Sequence, residues 1–117
     1  MNPAVSLKLN SDFRRAYARG RSAVAPCVVV YCRRNQLSRN RTGYTVSKKL
    51  GKAVVRNRVR RRLREIMRLN GNRLRQGYDV VIVARGRAVG AAYQKLEADV
   101  LKCLEQLKLL CEEEASP

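Results

Sequence analysis

The sequence predicts an α+β fold, a small mixed sheet packed with three helices in the order α-β-β-(β)-α-β-α, and two observations carry that prediction. Two long stretches, one after Gly51 to about Leu69 and one from Ala91 to about Cys111, repeat apolar residues at helical spacing. Short β-branched runs, Cys27-Val28-Val29-Val30-Tyr31-Cys32 and Val80-Val81-Ile82-Val83, have strand length and no helical period. At 117 residues and 45% apolar content, the chain suits a single domain over 1–117 with one modest core.

In chain order, Asn10 or Ser11 can cap a short helix that begins at Asp12, sets Phe13 and Tyr17 one turn apart, and stops at Gly20. Its other face is basic, with Arg14, Arg15 and Arg19. The run from Cys27 to Cys32 follows Pro26 and ends in Arg33-Arg34, as a strand would. Residues 35–41 are polar and turn the chain back, so that Thr42-Gly43-Tyr44-Thr45-Val46-Ser47 pairs with that strand as an antiparallel hairpin.

On the next helix, Val55, Val59, Leu63 and Ile66 form one stripe with Met67 at its margin, and Asn70-Gly71 marks its end. Tyr78 to Ala84 is continuously apolar at its centre, which predicts an interior strand covered on both faces. The last helix buries Tyr93, Leu96, Val100, Leu104, Leu107 and Cys111. A whole helix between the strands at 42–47 and 78–84 allows a parallel β-α-β unit, for which general statistics favour a right-handed crossover.

The charge names the class of partner. Twenty-six Lys and Arg against nine Asp and Glu give a formal +17, and such a field calls for an anionic polymer. Residues 1–96 hold 24 basic and 3 acidic side chains, while the end of the chain carries the acidic run Glu112-Glu113-Glu114 in a tail over about 112–117. The first ten residues have no secretory pattern and no apolar run approaches the roughly 20 residues of a membrane span, so no membrane and a cytoplasmic location are expected. Cys27, Cys32, Cys103 and Cys111 form no C-x-x-C pair and there is no histidine, which predicts buried, reduced thiols rather than a metal site.

Between Lys48 and Arg68 the cations Lys48, Lys49, Lys52, Arg56, Arg58, Arg60, Arg61, Arg62, Arg64 and Arg68 face one acid, Glu65. At 100° per residue Asn57, Arg61, Arg64 and Arg68 fall opposite the buried stripe, with Arg56 and Arg60 on one flank and Arg58 and Arg62 on the other. Like charges at i,i+4 cost a few tenths of a kcal/mol per pair, so a stripe of this kind points to a polyanion. Guanidinium suits bidentate phosphate contacts and stacking on bases. Phe13, Tyr17 and Tyr31 fit two roles equally: pinning the first helix to the sheet, or stacking unpaired bases within a basic groove. Spacing does not choose between them.

Self-contained catalysis is not expected. The basic region holds only Asp12, Glu65 and Asp79, without paired carboxylates, and the glycines match no phosphate-cradling motif. A ribosomal or chaperone-like RNA-binding protein, an autonomous nuclease and a DNA-compacting protein are the rival classes for so basic a chain.

The segment Val46-Ser47-Lys48-Lys49-Leu50-Gly51-Lys52-Ala53-Val54-Val55-Arg56-Asn57-Arg58-Val59-Arg60-Arg61 resembles the RNR motif region of the bacterial ribonuclease P protein family. Asp12-Phe13-Arg14-Arg15-Ala16-Tyr17-Ala18-Arg19-Gly20-Arg21-Ser22 looks like that family's first helix and turn, and Tyr78-Asp79-Val80-Val81-Ile82-Val83-Ala84-Arg85 like its last strand. The resemblance covers roughly residues 7–108. It departs from the family in having Tyr17 where many members have Phe, and in the arginine-rich run Arg60-Arg61-Arg62.

The resemblance implies a fold shared with a domain of a small-subunit ribosomal protein, including a left-handed β-α-β crossover in place of the right-handed one. It implies a protein cofactor of an endoribonuclease whose RNA subunit performs the hydrolysis with Mg2+, with no catalytic residue in the protein itself; whether the protein also binds metal ions is left open. The implied partners are ribonuclease P RNA and precursor tRNA, with one protein per catalytic RNA. A cleft for the 5′ leader would hold Phe13, Tyr17, Tyr31, Thr45 and Lys49. Lys48, Lys52, Arg56, Asn57, Arg58, Arg60, Arg61, Arg64 and Arg68 would contact RNA.

Overall fold

A computed structural model describes residues 5–6 and 10–111, with side chains described from Phe13 onward. In chain order the elements are β1 (Val5–Ser6), α1 (Asn10–Arg19), β2 (Arg21–Val24), β3 (Val28–Arg34), β4 (Arg41–Thr45), α2 (Ala53–Leu69), β5 (Tyr78–Ala84) and α3 (Tyr93–Gln106). The five strands form one mixed sheet in the order β1-β4-β5-β3-β2.

The apolar run of β5 explains that order. Val80, Val81 and Ile82 are buried on both faces, and both edges of β5 are also paired: β3 runs antiparallel on one side and β4 parallel on the other. The expected hairpin between β3 and β4 is therefore corrected. Those two strands do not pair, because β5 sits between them, and residues 35–40 bridge two strand spacings, roughly 10 Å. The parallel β4-α2-β5 unit is present.

Residues 21–24, which sequence patterning passes over, form β2 on the outer edge of β3. The strand is short, with Ala23 the one buried residue and Arg21, Ser22 and Val24 exposed, so it carries little apolar signal.

Side-chain alternation divides the sheet into two faces. Val30, Cys32, Val80 and Ile82 face the main core with Val59, Leu63 and Ile66 of α2 and Leu96, Val100 and Leu104 of α3. On the opposite face Ala16 of α1 and Val81 are fully buried, with Phe13, Tyr31 and Val83 packed around them. Gly20 lets α1 end directly on β3: a Cβ there would stand 2.3 Å from the Cys32 carbonyl oxygen. That helix begins at Asn10, two residues earlier than expected, and the proposed Asn10 or Ser11 side-chain cap lies outside the described residues.

The stripe predicted for α2 holds, with Val59, Leu63, Ile66 and Met67 buried, although Val55 is only half-buried. In contrast, α3 stops at Gln106 rather than near Cys111. Lys108 adopts a left-handed conformation (φ 61°), and the Leu109 N–H donates to the Leu104 carbonyl while Lys108 N–H donates to Glu105, the two bonds of a Schellman stop. The chain then doubles back, with Leu110 bridging to Leu74 and the Cys111 N–H donating to the Arg73 carbonyl. Cys111 is consequently half-buried rather than a core residue, and Tyr93, at the first position of α3, is also half-buried, packed against the core from its edge. Cys27, Cys32 and Cys103 are buried free thiols, and burial pushes all three above the usual thiol range. The acidic run Glu112-Glu113-Glu114 lies outside the described residues.

Two buried carboxylates tie the elements together. Asp99 of α3 accepts the Cys27 N–H at 2.9 Å and pairs with Lys95 at 3.1 Å, which anchors α3 to the start of β3. Asp79 of β5 accepts from the Nε and Nη2 of Arg41 at 2.8 and 2.7 Å and from Asn35 Nδ2 at 3.0 Å. Burial alone would raise both carboxyls, but these donors outweigh it and hold each below the usual carboxylate range.

Candidate nucleic-acid interface

Four residues expected in the cleft meet where α1 crosses the sheet. The Tyr17 ring sits edge-on to Tyr31 with centroids 4.9 Å apart, and Phe13 lies 6.5 Å from Tyr17. The Tyr17 hydroxyl and Thr45 Oγ1 are 3.0 Å apart, so one hydrogen bond spans from α1 to β4. Tyr17 nevertheless stays 39% exposed, and Phe13, Arg14, Tyr17 and Thr45 line an open depression of about 510 Å³. Of the two roles left open for the aromatics, the pinning one is visible in the packing, and part of one ring stays uncovered. Phe13 and Tyr31 pack against the Ala16–Val81 contact, while Tyr17 keeps surface available for a stacked base.

Arg14 belongs to this depression, yet sequence reading put it with the basic outer face of α1. Its i,i+3 relation to Tyr17 was the available signal. Lys49 lies four residues past Thr45, in a 3-10 turn over Lys48–Leu50, and is exposed along with Lys48 and Lys52. Ser47 starts that turn by accepting the Lys49 N–H at 3.1 Å, and Gly51 closes it with φ 144°. The turn positions these lysines between the end of β4 and the first turn of α2.

Along α2 the predicted outer stripe is exposed: Asn57, Arg61, Arg64 and Arg68, together with Arg58. Several cations there also have local partners. Arg56 donates from Nε to the Gly51 carbonyl at 3.1 Å, which braces the helix start, and Arg60 donates to Asn57 Oδ1 at 3.1 Å. The Arg64 guanidinium lies 5.9 Å from the Tyr44 ring centre, and burial pushes that phenol up to about 12 despite the nearby cation. Arg62 reaches the Ala91 carbonyl at 3.1 Å and serves the approach to α3. Arg68 is held by both oxygens of Glu65, at 3.0 and 2.6 Å, so the single acid of this helix is spent at its far end. Arg58 and Arg61 have no side-chain partner among the described residues.

This arrangement provides a half-open aromatic depression on one face of the sheet and a basic helix on the other, linked by the lysine turn after β4, and comparison with known proteins gives it a family. The Ribonuclease P family model matches residues 1–108. The chain belongs to the ribonuclease P protein family. The ribonuclease P protein component of Caldanaerobacter subterraneus subsp. tengcongensis is 46% identical over 108 residues, spanning 92% of this chain and 93% of that protein. That of Alkaliphilus oremlandii is 41% identical over 104 residues, 89% and 91% of the two chains. Among solved structures, the Staphylococcus aureus RNase P protein superposes with a TM-score of 0.84 at 31% identity, covering 92% of this chain and 99% of that one. The Thermotoga maritima RNase P protein does so at 0.77 and 30%, covering 83% and 92%.

Membership in the ribonuclease P family brings RNA binding and tRNA processing as the chain's field of action. Among the described residues no group of three His, Cys, Asp or Glu could hold a metal ion, and no helix is long and apolar enough to cross a membrane.

Proposed function

We propose that this chain is the protein subunit of a bacterial ribonuclease P, in which α2 docks on the catalytic RNA and the α1–sheet depression holds the 5′ leader of precursor tRNA. The observation that carries this reading is the Phe13–Tyr17–Tyr31–Thr45 cluster open on one face of the sheet, with the lysine turn after β4 leading from it to an arginine helix whose own acid is already paired. Phosphate neutralisation by Lys48, Lys49, Lys52, Arg56, Arg58, Arg60, Arg61 and Arg64 supplies affinity, with Arg68 adding to it if RNA displaces Glu65. Aromatic stacking supplies geometry, each stacked base contributing about 1–3 kcal/mol. Hydrolysis belongs to the RNA subunit, which brings its own Mg2+; the protein contributes charge and position, one copy per catalytic RNA, in the cytoplasm.

The test is cleavage of a leader-bearing precursor tRNA by a bacterial ribonuclease P RNA at low Mg2+, with and without this protein. Strong stimulation at the mature 5′ end is expected, and its loss in the Arg56→Ala/Arg58→Ala double variant would assign it to the start of α2. Phe13→Ala should weaken binding of leader-bearing precursor by roughly tenfold, the equivalent of one stacked base, and leave mature tRNA unaffected. Equal losses for both RNAs would remove the leader from the cleft, and no stimulation with any such RNA would return the chain to a ribosomal or chaperone-like role.

A further inference from the structure

The loop between β3 and β4 carries a second basic surface that the cleft and α2 do not use. Arg33 and Arg34 end β3, Arg39 lies in the loop, and Arg75 joins them through the Asn40 side chain, which donates to the Arg75 carbonyl at 2.8 Å. Residues 33–41 and 75–79 contain one carboxylate, Asp79, and it is 1% exposed with both oxygens taken by Arg41. Asp79 is thus taken up by Arg41 with Arg33 nearby, which leaves Arg34, Arg39 and Arg75 without a carboxylate of their own within these segments. Arg34, Arg39 and Arg75 are exposed.

The platform beneath them is rigid. Asn35 donates to the Arg39 carbonyl at 3.1 Å and accepts the Leu37 N–H at 2.7 Å, while its own N–H donates to Gly77 at 2.9 Å. Asn40 accepts the Tyr78 N–H at 2.8 Å and donates its own N–H to Gln76 Oε1 at 3.1 Å. A loop ordered to this degree holds its arginines in place at little further entropic cost on binding. It lies at the opposite end of β4 from Thr45, four strand steps or about 13 Å away, so it does not belong to the depression lined by Tyr17.

From this we propose that the arginine cluster of the β3–β4 loop is a second RNA-docking surface, which grips backbone phosphates of the folded RNA subunit. It rests on the RNA partnership proposed above and adds a site to it. Two features favour structured RNA over a single-stranded leader. The one aromatic residue here, Tyr78, is half-buried with the Arg34 guanidinium 6.0 Å from its ring centre, so no free ring is offered to an unpaired base. Arginine, with its planar fork, matches phosphate oxygens wherever a folded backbone presents them.

The test compares the full chain with the Arg34→Gln/Arg39→Gln/Arg75→Gln variant, measuring affinity for ribonuclease P RNA between 50 and 200 mM monovalent salt. Each lost phosphate contact flattens the salt slope by about 0.9, so over this range the wild type should lose roughly 40-fold more affinity than the triple variant. The ratio of precursor to mature tRNA binding in the holoenzyme should be unchanged. A variant with lysine at all three positions should recover most of the slope, and matching thermal melts show that the fold is intact. Equal slopes in a variant that still folds, against a wild type that binds and stimulates the RNA, overturn this site and leave the proposed subunit role standing. A changed precursor-to-mature ratio with an unchanged slope also overturns it, because the cluster would then serve the leader. A wild type that neither binds nor stimulates any ribonuclease P RNA removes the subunit role itself.

Discussion

At the scale of single residues, Asp79 decides more than its size suggests. It is the only carboxylate in the β3, β4 and β5 strands, and it joins β5 to β4 through Arg41 and to the β3–β4 loop through Asn35. Its folded carboxyl titrates below the unfolded value of about 3.9, as does that of Asp99, so the stability they contribute is complete above about pH 4 and is lost as pH falls through the folded values. Asp79→Asn should cost about 3 kcal/mol at pH 7, since it removes the buried carboxylate to which Arg41 donates twice. Urea melts of both proteins should run parallel from pH 5 to 8 and converge below pH 4; a gap that persists at pH 2 would mean that packing, rather than charge, accounts for the loss.

At the scale of elements, α1 depends on one close approach. A methyl group at position 20 would meet the Cys32 carbonyl oxygen at 2.3 Å and that of Ala16 at 2.6 Å, both backbone atoms that cannot swing aside. Gly20→Ala should therefore lift the end of α1, destabilise the fold by on the order of 1–3 kcal/mol, and separate Tyr17 from Thr45. Leader discrimination should fall with it, whereas affinity for the RNA subunit through α2 should hold; a variant with wild-type melting and discrimination would show that the sheet gives way instead.

Elements with a strong period were legible in the sequence. The α2 stripe and the limits of β5 follow from apolar spacing, and the outer arginines follow from the same arithmetic. The misses share a cause, which is that pairing is decided by distant residues. Nothing within 27–47 states that β5 will enter between β3 and β4, and β2 gains its partner without an apolar pattern of its own. The end of α3 was hidden because Lys108 occupies the left-handed position that glycine usually marks. In the cleft, residues 13, 17 and 31 were nameable from the sequence as stacking candidates, but only the family resemblance chose that role over pinning and added Thr45 and Lys49, and Arg14 escaped because spacing alone does not show which side of a short helix a sheet leaves open.

At the scale of the whole molecule, the described acids are largely committed to structure: Glu65 to Arg68, Asp79 to Arg41 and Asp99 to Lys95. Most of the +17 charge is thus free to act outward, and at 0.15 M salt its reach is about 8 Å. A protein of this kind binds any polyanion weakly, so discrimination has to come from the fixed spacing of its aromatic and arginine sites rather than from charge. The expected signature is that heparin competes for RNA binding far more effectively at 50 mM than at 300 mM salt, while precursor-to-mature preference survives the higher salt; preference lost in step with affinity would count against shape-based selection.

The position of β5 also sets an order of events during synthesis. Strands β3 and β4 are complete by residue 45, but the seam between them stays open until residues 78–84 have left the ribosome. For that interval the nascent chain presents two unpaired backbone edges, the usual template for misassembly. Arg33, Arg34 and Arg41 flank the seam, and in the unfinished chain their mutual repulsion holds a second copy away. Arg34, proposed above as an RNA contact, thus also acts as a guard for a sheet that has to wait for its middle strand.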